Sequence, residues 1–157
     1  MIDRRIRAQC VCFSGNKILL LKRSEFNPVQ PYTWDFGEYI ITAEEPFTVQ
    51  LQQDILRYFC IGADVLYDCN EFAIPVATYF MNHTRENSDG SYHHGIVFGA
   101  DLYSERVKFK TKTYSDFKFV TINELLAMYD SEFSFGTLKD VAITAMAKLQ
   151  ISTVSYF

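Results

Sequence analysis

The stretch that decides the fold lies at residues 34–61 and has the sequence WDFGEYIITAEEPFTVQLQQDILRYFCI. In its second half an apolar side chain recurs every four residues, at Phe47, Leu51, Ile55 and Phe59. This spacing predicts an amphipathic helix whose apolar stripe faces a core. Pro46 suits the first turn of the helix, where its missing N–H has no helical partner. We expect Gly62 to end the helix and the residues before Pro46 to form a loop.

The residues before this stretch predict a β-hairpin. Residues 6–13 and 17–22 are rich in β-branched and aliphatic side chains, and the turn residues Gly15 and Asn16 lie between them. The continuous apolar run at residues 18–21 indicates a strand that is buried on both faces of a sheet.

The second half of the chain predicts further strands and two helices. We expect strands at residues 76–81, 92–102 and 117–120. A polar loop is expected at residues 85–91, and Thr121 or Asn123 should cap a short helix. The last helix spans about residues 137–150, and its apolar stripe consists of Val141, Ala142, Ala145, Met146 and Leu149. Together these elements predict an α+β protein in which helices flank a mixed sheet.

Length and composition limit the class of protein. The chain has 157 residues, 48% hydrophobic and 22% charged, which fits one domain over residues 1–157. The net charge of −4 argues against general nucleic-acid binding, although a local basic patch would escape that argument. No apolar run reaches the about 20 residues that span a bilayer, and no signal-peptide pattern precedes Gly15. We therefore expect a cytoplasmic protein that does not enter a membrane.

Cysteine and aromatic residues bear on redox state and association. The four cysteines form no C-x-x-C pair, so we expect reduced, mostly buried thiols. Fourteen Phe and ten Tyr can fill a core, line a pocket or form an interface. This aromatic surplus and the apolar tail at residues 151–157 permit a homodimer without requiring one.

The order of these elements resembles the Nudix hydrolase family over nearly the whole chain. The run LLLKR at residues 19–23 matches the end of that family's opening strand pair, and Trp34 and Phe36 match its W-x-F. FKFVTINEL at residues 117–125 matches its later strand and helix start. The resemblance implies an α/β/α sandwich with a mixed β-sheet flanked by helices. It also implies hydrolysis of nucleoside diphosphates linked to another moiety, with a divalent metal such as Mg²⁺ as cofactor.

The Nudix box, G-x5-E-x7-R-E-U-x-E-E-x-G-U, can be placed on this chain without gaps but is degenerate. Matching or conservative positions are Glu45, Asp54, Ile55 and Ile61. Substituted positions are Tyr39 for the first Gly, Gln53 for Arg, Arg57 and Tyr58 for the Glu pair, and Cys60 for the last Gly. The resemblance implies Glu45 and Asp54 as the remaining catalytic acids and as weak candidates for metal ligands.

The substitutions change the charge of the predicted metal site. Three box carboxylates converge on one helix face at spacing i, i+3, i+4, and hard cations require such oxygen ligands. Here the three positions carry −1 at Asp54, +1 at Arg57 and 0 at Tyr58. Other acids precede the helix at Asp35, Glu38, Glu44 and Glu45, and they serve either the helix N-terminus or a metal or substrate. The sequence predicts that the usual Mg²⁺ site is absent or impaired.

Two functions remain open at this stage. One is a divergent hydrolase that recruits metal from elsewhere. The other is a non-catalytic module that binds a nucleotide-like or protein ligand in the same cleft. In the second case Arg57, with Lys22 or Arg23, would bind phosphate directly, while Trp34 and Tyr58 would stack on a ring.

The three histidines give no clear prediction. His93 and His94 are neighbours on a predicted strand and face opposite ways, so both cannot easily serve one site. The roles of His83, His93 and His94 therefore stay open.

Overall fold

The computed structural model describes residues 5–42, 44–70, 72–81, 93–135 and 137–154. The strands of the described residues are β1 (Arg5–Ser14), β2 (Lys17–Arg23), β3 (Trp34–Asp35), β4 (Glu38–Thr42), β5 (Ala63–Val65), β6 (Pro75–Met81), β7 (His93–Leu102) and β8 (Tyr114–Val120). The helices are α1 (Phe47–Phe59), α2 (Ile122–Ala127) and α3 (Leu138–Val154), with a 3-10 turn at Asp130–Glu132.

All of these strands form one mixed sheet with β1 at its centre. β1 pairs in parallel with β7 and antiparallel with β2 and β4, and the remaining described pairings are antiparallel. The predicted hairpin is confirmed, with Phe13 opposite Ile18 and Ser14 opposite Lys17. β4 lies beside the first half of β1, so Glu38 is opposite Gln9.

Helices cover both faces of this sheet, which confirms the predicted α+β sandwich. Alternate residues of β2 enter different cores because successive strand side chains point to opposite faces. Ile18 and Leu20 join the core under α2 and α3, whereas Leu19 and Leu21 join the core under α1. The run at residues 18–21 is therefore buried on both sides, as predicted.

Most helix predictions are confirmed as well. Leu51, Ile55 and Phe59 are buried on the core side of α1. Thr121 caps α2 in a reciprocal capping box with Glu124. In α3 the buried stripe includes Val141, Ala142, Ala145 and Met146; the side chain of Leu149 lies outside the described set.

The largest differences from the predictions lie at three places. Residues 38–42, predicted as a loop, form β4, because Tyr39 and Ile41 alternate inward and the backbone pairs with β1. The last sheet strand begins at Tyr114 rather than at residue 117. α1 ends at Phe59, before Gly62, because Cys60 adopts the left-handed conformation with φ 57° and ψ 33°. The predicted loop at residues 85–91 and His83 lie outside the described residues.

Replacing Cys60 with glycine should stabilise the fold. Glycine adopts φ near +57° without a Cβ clash, so Cys60→Gly should raise the free energy of unfolding by about 0.5–1 kcal/mol. Urea denaturation measures this change. The control is Cys60→Ala, which keeps a Cβ and should give no gain; equal stabilisation by both variants would contradict the explanation.

Candidate functional site

A cavity of about 290 Å³ lies between β4, the second half of α1 and the chain that leads into β8. We call it the central cavity. The polar side chains that line it come from Glu38, Asp54, Tyr58, Thr111, Thr113 and Tyr114. Two carboxylates from different elements therefore face one space, which makes this the strongest candidate site.

Glu38, at the start of β4, is held between two arginines. Its Oε1 accepts a hydrogen bond from Nη1 of Arg7 at 2.8 Å, and its Oε2 accepts one from Nη2 of Arg23 at 3.3 Å. Its backbone N–H also donates to the hydroxyl of Tyr114 at 3.0 Å. Both carboxylate oxygens of Glu38 thus have a guanidinium partner.

Arg23 is fully buried and forms the centre of this network. Its Nε donates to Oδ2 of Asp35 at 2.8 Å, and its Nη1 donates to the carbonyl of Val29 at 2.8 Å. Burial lowers the pKa of Arg23, but Asp35, Tyr114 and Glu38 outweigh this and leave the pKa raised. The sequence predicted that Arg23 contacts substrate, and that role stays a prediction; in the structure its buried side chain pairs with Asp35 and Glu38.

Asp54 and Arg57 form the second charged pair, on α1. Nη1 of Arg57 is 3.5 Å from Oδ1 of Asp54, as the spacing i, i+3 allows. Burial raises the pKa of Asp54, and the nearby charge of Arg57 offsets part of that rise. The Arg57 side chain is 64% exposed, and its guanidinium carbon lies 6.0 Å from the ring centre of Tyr58.

Tyrosines give the central cavity an aromatic wall. Tyr58 borders it from α1, and Tyr114 borders it from the start of β8. Burial raises the pKa of Tyr114, and the charges of Asp35 and Glu38 raise it further. Tyr39 also borders the cavity, with a buried hydroxyl that has no hydrogen-bond partner among the described residues. Burial also raises the pKa of Tyr39, so the phenols of Tyr39 and Tyr114 stay neutral at ordinary pH.

The remaining predicted site residues lie away from the central cavity. Glu45 is exposed before α1, where its backbone carbonyl accepts a hydrogen bond from Nε2 of Gln50. Trp34 lies under two lysines, with Nζ of Lys118 at 4.5 Å and Nζ of Lys22 at 5.7 Å from the ring centre. Of the predicted set, Asp54 and Tyr58 line the cavity and Arg57 contacts Asp54.

Sequence reasoning did not single out several residues of this site. The sequence analysis treated Glu38 only as one of the acids before the helix. Side chains that alternate between two faces are typical of a strand, and such an interpretation of residues 38–42 could have placed Glu38 there. No local sequence pattern marks Thr111, Thr113 and Tyr114 as site residues, because only the fold brings them close to α1.

Comparison with known proteins identifies the fold. No family model and no curated protein matches the sequence. A Nudix-family hydrolase from Clostridium perfringens superposes with a TM-score of 0.70 at 11% identity, over 94% of this chain and 99% of that one. The chain has the Nudix fold. The MutT protein of Methanosarcina mazei Go1 matches with a TM-score of 0.68 at 14% identity, over 92% of this chain and 94% of that one.

A third similar structure is the Nudix domain of Shewanella oneidensis NrtR, which was crystallised with ADP ribose. It matches with a TM-score of 0.65 at 14% identity, over 95% of this chain and 90% of that one. Such low identities establish the fold and leave the chemistry to be argued from the residues.

Cys60 supports the ungapped placement of the Nudix box. The frame puts Cys60 where the box has its last glycine, and Cys60 has the positive φ that glycine adopts most easily. The same frame puts Arg57 and Tyr58 at the positions of the two paired glutamates. Tyr58 lines the central cavity, and Arg57 forms an ion pair with Asp54.

The residues of the central cavity do not fit a Mg²⁺ ion. The carboxylates of Glu38 and Asp54 are paired with arginines, and a divalent cation would have to displace those guanidinium groups. Among the residues that the structure describes, no group of three or more His, Cys, Asp or Glu side chains is placed to hold a metal ion.

Breaking the buried pair of Arg23 and Asp35 should cost far more stability than breaking the pair on α1. Asp35→Asn leaves the Arg23 charge buried with only its weaker partner Glu38, so the free energy of unfolding should fall by about 3 kcal/mol. Asp54→Asn is the matched control and should change it by less than about 1 kcal/mol, because its partner Arg57 is exposed. Urea denaturation compares the two variants, and similar losses would refute this ranking.

Proposed function

We propose that residues 1–157 form one divergent Nudix-family domain that binds a nucleotide-like ligand without metal-dependent hydrolysis. The observation that carries this proposal is that both carboxylates of the central cavity, Glu38 and Asp54, are neutralised by arginines. In ordinary diphosphate hydrolysis the metal generates the nucleophile and neutralises phosphate charge, and it needs free oxygen ligands. A site with paired carboxylates and an exposed guanidinium favours an anion instead.

The chemistry of the cavity favours a phosphate joined to a ring. Arg57 lies beside Asp54 and has an exposed fork of N–H groups that can bind phosphate oxygens in pairs. Tyr58 offers a ring for stacking, and the hydroxyls of Thr111 and Thr113 offer hydrogen bonds to a sugar. A volume of about 290 Å³ lies at the small end of ligand pockets, so it suits part of a dinucleotide-like molecule.

ADP-ribose is the first ligand to test, since the similar Nudix domain of NrtR was crystallised with it. Calorimetry should show that the chain binds ADP-ribose with the same affinity in EDTA and in Mg²⁺. Arg57→Ala should weaken binding about tenfold, because it removes charge-assisted hydrogen bonds. Lys148→Ala, an exposed cation on α3, should leave the affinity unchanged.

A product assay completes this test. Incubation with ADP-ribose and Mg²⁺ or Mn²⁺ should release no AMP. Metal-dependent release that Asp54→Asn abolishes would contradict the proposal and favour the hydrolase.

A divergent hydrolase is the second candidate, and one observation favours it. Glu38 and Asp54 come from different elements and yet line the same cavity, as two catalytic acids would. In that case the metal would have to displace Arg7, Arg23 and Arg57 from the two carboxylates. The predicted acid Glu45 would contribute only from outside the central cavity.

Restoring the acidic pair should create a metal site. The double variant R57E/Y58E changes the charge of the three box positions from zero to −3, so calorimetry should detect Mn²⁺ binding that the natural chain lacks. R57Q/Y58Q is the control, since it removes the guanidinium without adding carboxylates and should not bind Mn²⁺. Equal binding by the natural chain and R57E/Y58E would show that Arg57 does not exclude the ion.

Location and association stay proposals as well. None of the helices in the described part of the chain is both long enough and apolar enough to span a membrane. Cys10, Cys12, Cys60 and Cys69 are free thiols, which supports the proposed cytoplasmic location. The homodimer that the sequence permits stays a prediction.

A further inference from the structure

A row of cations lies between β7 and β8. Residues 106–112 have the sequence RVKFKTK, which holds four of the fifteen lysines and arginines in seven residues. They are Arg106, Lys108, Lys110 and Lys112, and all four are exposed. A chain with a net charge of −4 thus concentrates positive charge on one short segment. We call these four residues the cation row.

Two backbone hydrogen bonds hold the middle of the cation row against the end of α1. The N–H of Lys108 donates to the carbonyl of Phe59 at 3.0 Å, and the N–H of Lys110 donates to the carbonyl of Tyr58 at 2.9 Å. Phe109, between them, packs edge-on against Phe59. Because side chains alternate along an extended segment, Phe109 points inward, and Lys108 and Lys110 point outward. Two residues of extended chain separate the two lysines by about 6.7 Å.

The four side chains have no acidic partner within the described ranges. None of the ion pairs found there includes Arg106, Lys108, Lys110 or Lys112. Their charges therefore face solvent along one short segment, and positively charged surfaces of this kind can follow a phosphodiester backbone.

Two exposed aromatic rings lie near Lys112, at one end of the cation row. A second cavity of about 340 Å³, the outer cavity, is lined by Phe26, Tyr32 and Lys112 and shares Thr111 and Tyr114 with the central cavity. Phe26 is 66% exposed and Tyr32 is 62% exposed. One carboxylate, Glu25, also lines the outer cavity. Aromatic faces beside a line of cations are the two elements that single-strand binding surfaces combine.

We propose that the cation row binds the backbone of a single-stranded nucleic acid and that Phe26 and Tyr32 stack on its bases. This goes beyond the proposed function and does not require a ligand in the central cavity. Net charge disfavours general nucleic-acid binding, but the row is local and needs only a few consecutive phosphates.

A purely structural role for the lysines makes a different prediction. Lys108 and Lys110 lie at the C-terminal end of α1, where positive charge stabilises the helix dipole. If this were their whole role, replacing them would lower stability and leave nucleic-acid binding unchanged. The two roles are therefore separated by measuring both quantities on the same variant.

Fluorescence anisotropy with a labelled single-stranded RNA of about ten nucleotides tests the proposal. K108Q/K110Q should weaken binding about tenfold at low salt and reduce the slope of log K against log salt by about 1.4, since each phosphate contact on a single strand contributes about 0.7. K108R/K110R should keep the affinity. The control K17Q/K148Q removes two exposed cations elsewhere and should bind like the natural chain.

The aromatic residues give a second, independent measurement. F26A/Y32A should weaken RNA binding about tenfold without changing the salt slope, because stacking releases no counterions. Absence of RNA binding at low salt, or equal losses in K108Q/K110Q and K17Q/K148Q, would overturn the proposal. Full displacement of the RNA by inorganic polyphosphate, with no effect of F26A/Y32A, would also overturn it.

Discussion

The buried ion pair of Arg23 and Asp35 is the interaction on which the candidate site depends. Two charges inside the protein must compensate each other closely, since each loses the hydration that water would give it. Arg23 ends β2, Asp35 ends β3, and the same guanidinium also binds the carbonyl of Val29 and the carboxylate of Glu38. One side chain therefore fixes the loop after β2, the short strand β3 and the start of β4.

This constraint decides the charge of the central cavity. Because Arg23 holds one oxygen of Glu38 and Arg7 holds the other, that carboxylate faces the cavity already neutralised. Asp54 repeats the pattern on the opposite wall, where it faces Arg57. Under the proposed function, the cavity keeps two acids and lacks the excess negative charge that would attract a divalent ion.

Sequence patterns predicted what depends on periodicity and missed what depends on distant contacts. The two-faced burial of β2 follows from four consecutive apolar residues, and the core face of α1 follows from a four-residue repeat. In contrast, the partner of Arg23 is twelve residues away and is brought to it by strand pairing, so no local pattern predicted the pair of Arg23 and Asp35. Tyr114 reaches the cavity for the same reason, through the pairing of β8 with β2.

The positive charges at the end of α1 explain why both binding proposals involve an anionic ligand. In an ordinary Nudix site this end of the helix carries carboxylates that attract Mg²⁺. Here it carries Arg57, and Lys108 and Lys110 are anchored to its last carbonyls. A divalent cation that approaches these groups is repelled, although solvent screens the repulsion because the three side chains are exposed. Under both proposals, the same groups would attract phosphates, at the central cavity and along the cation row.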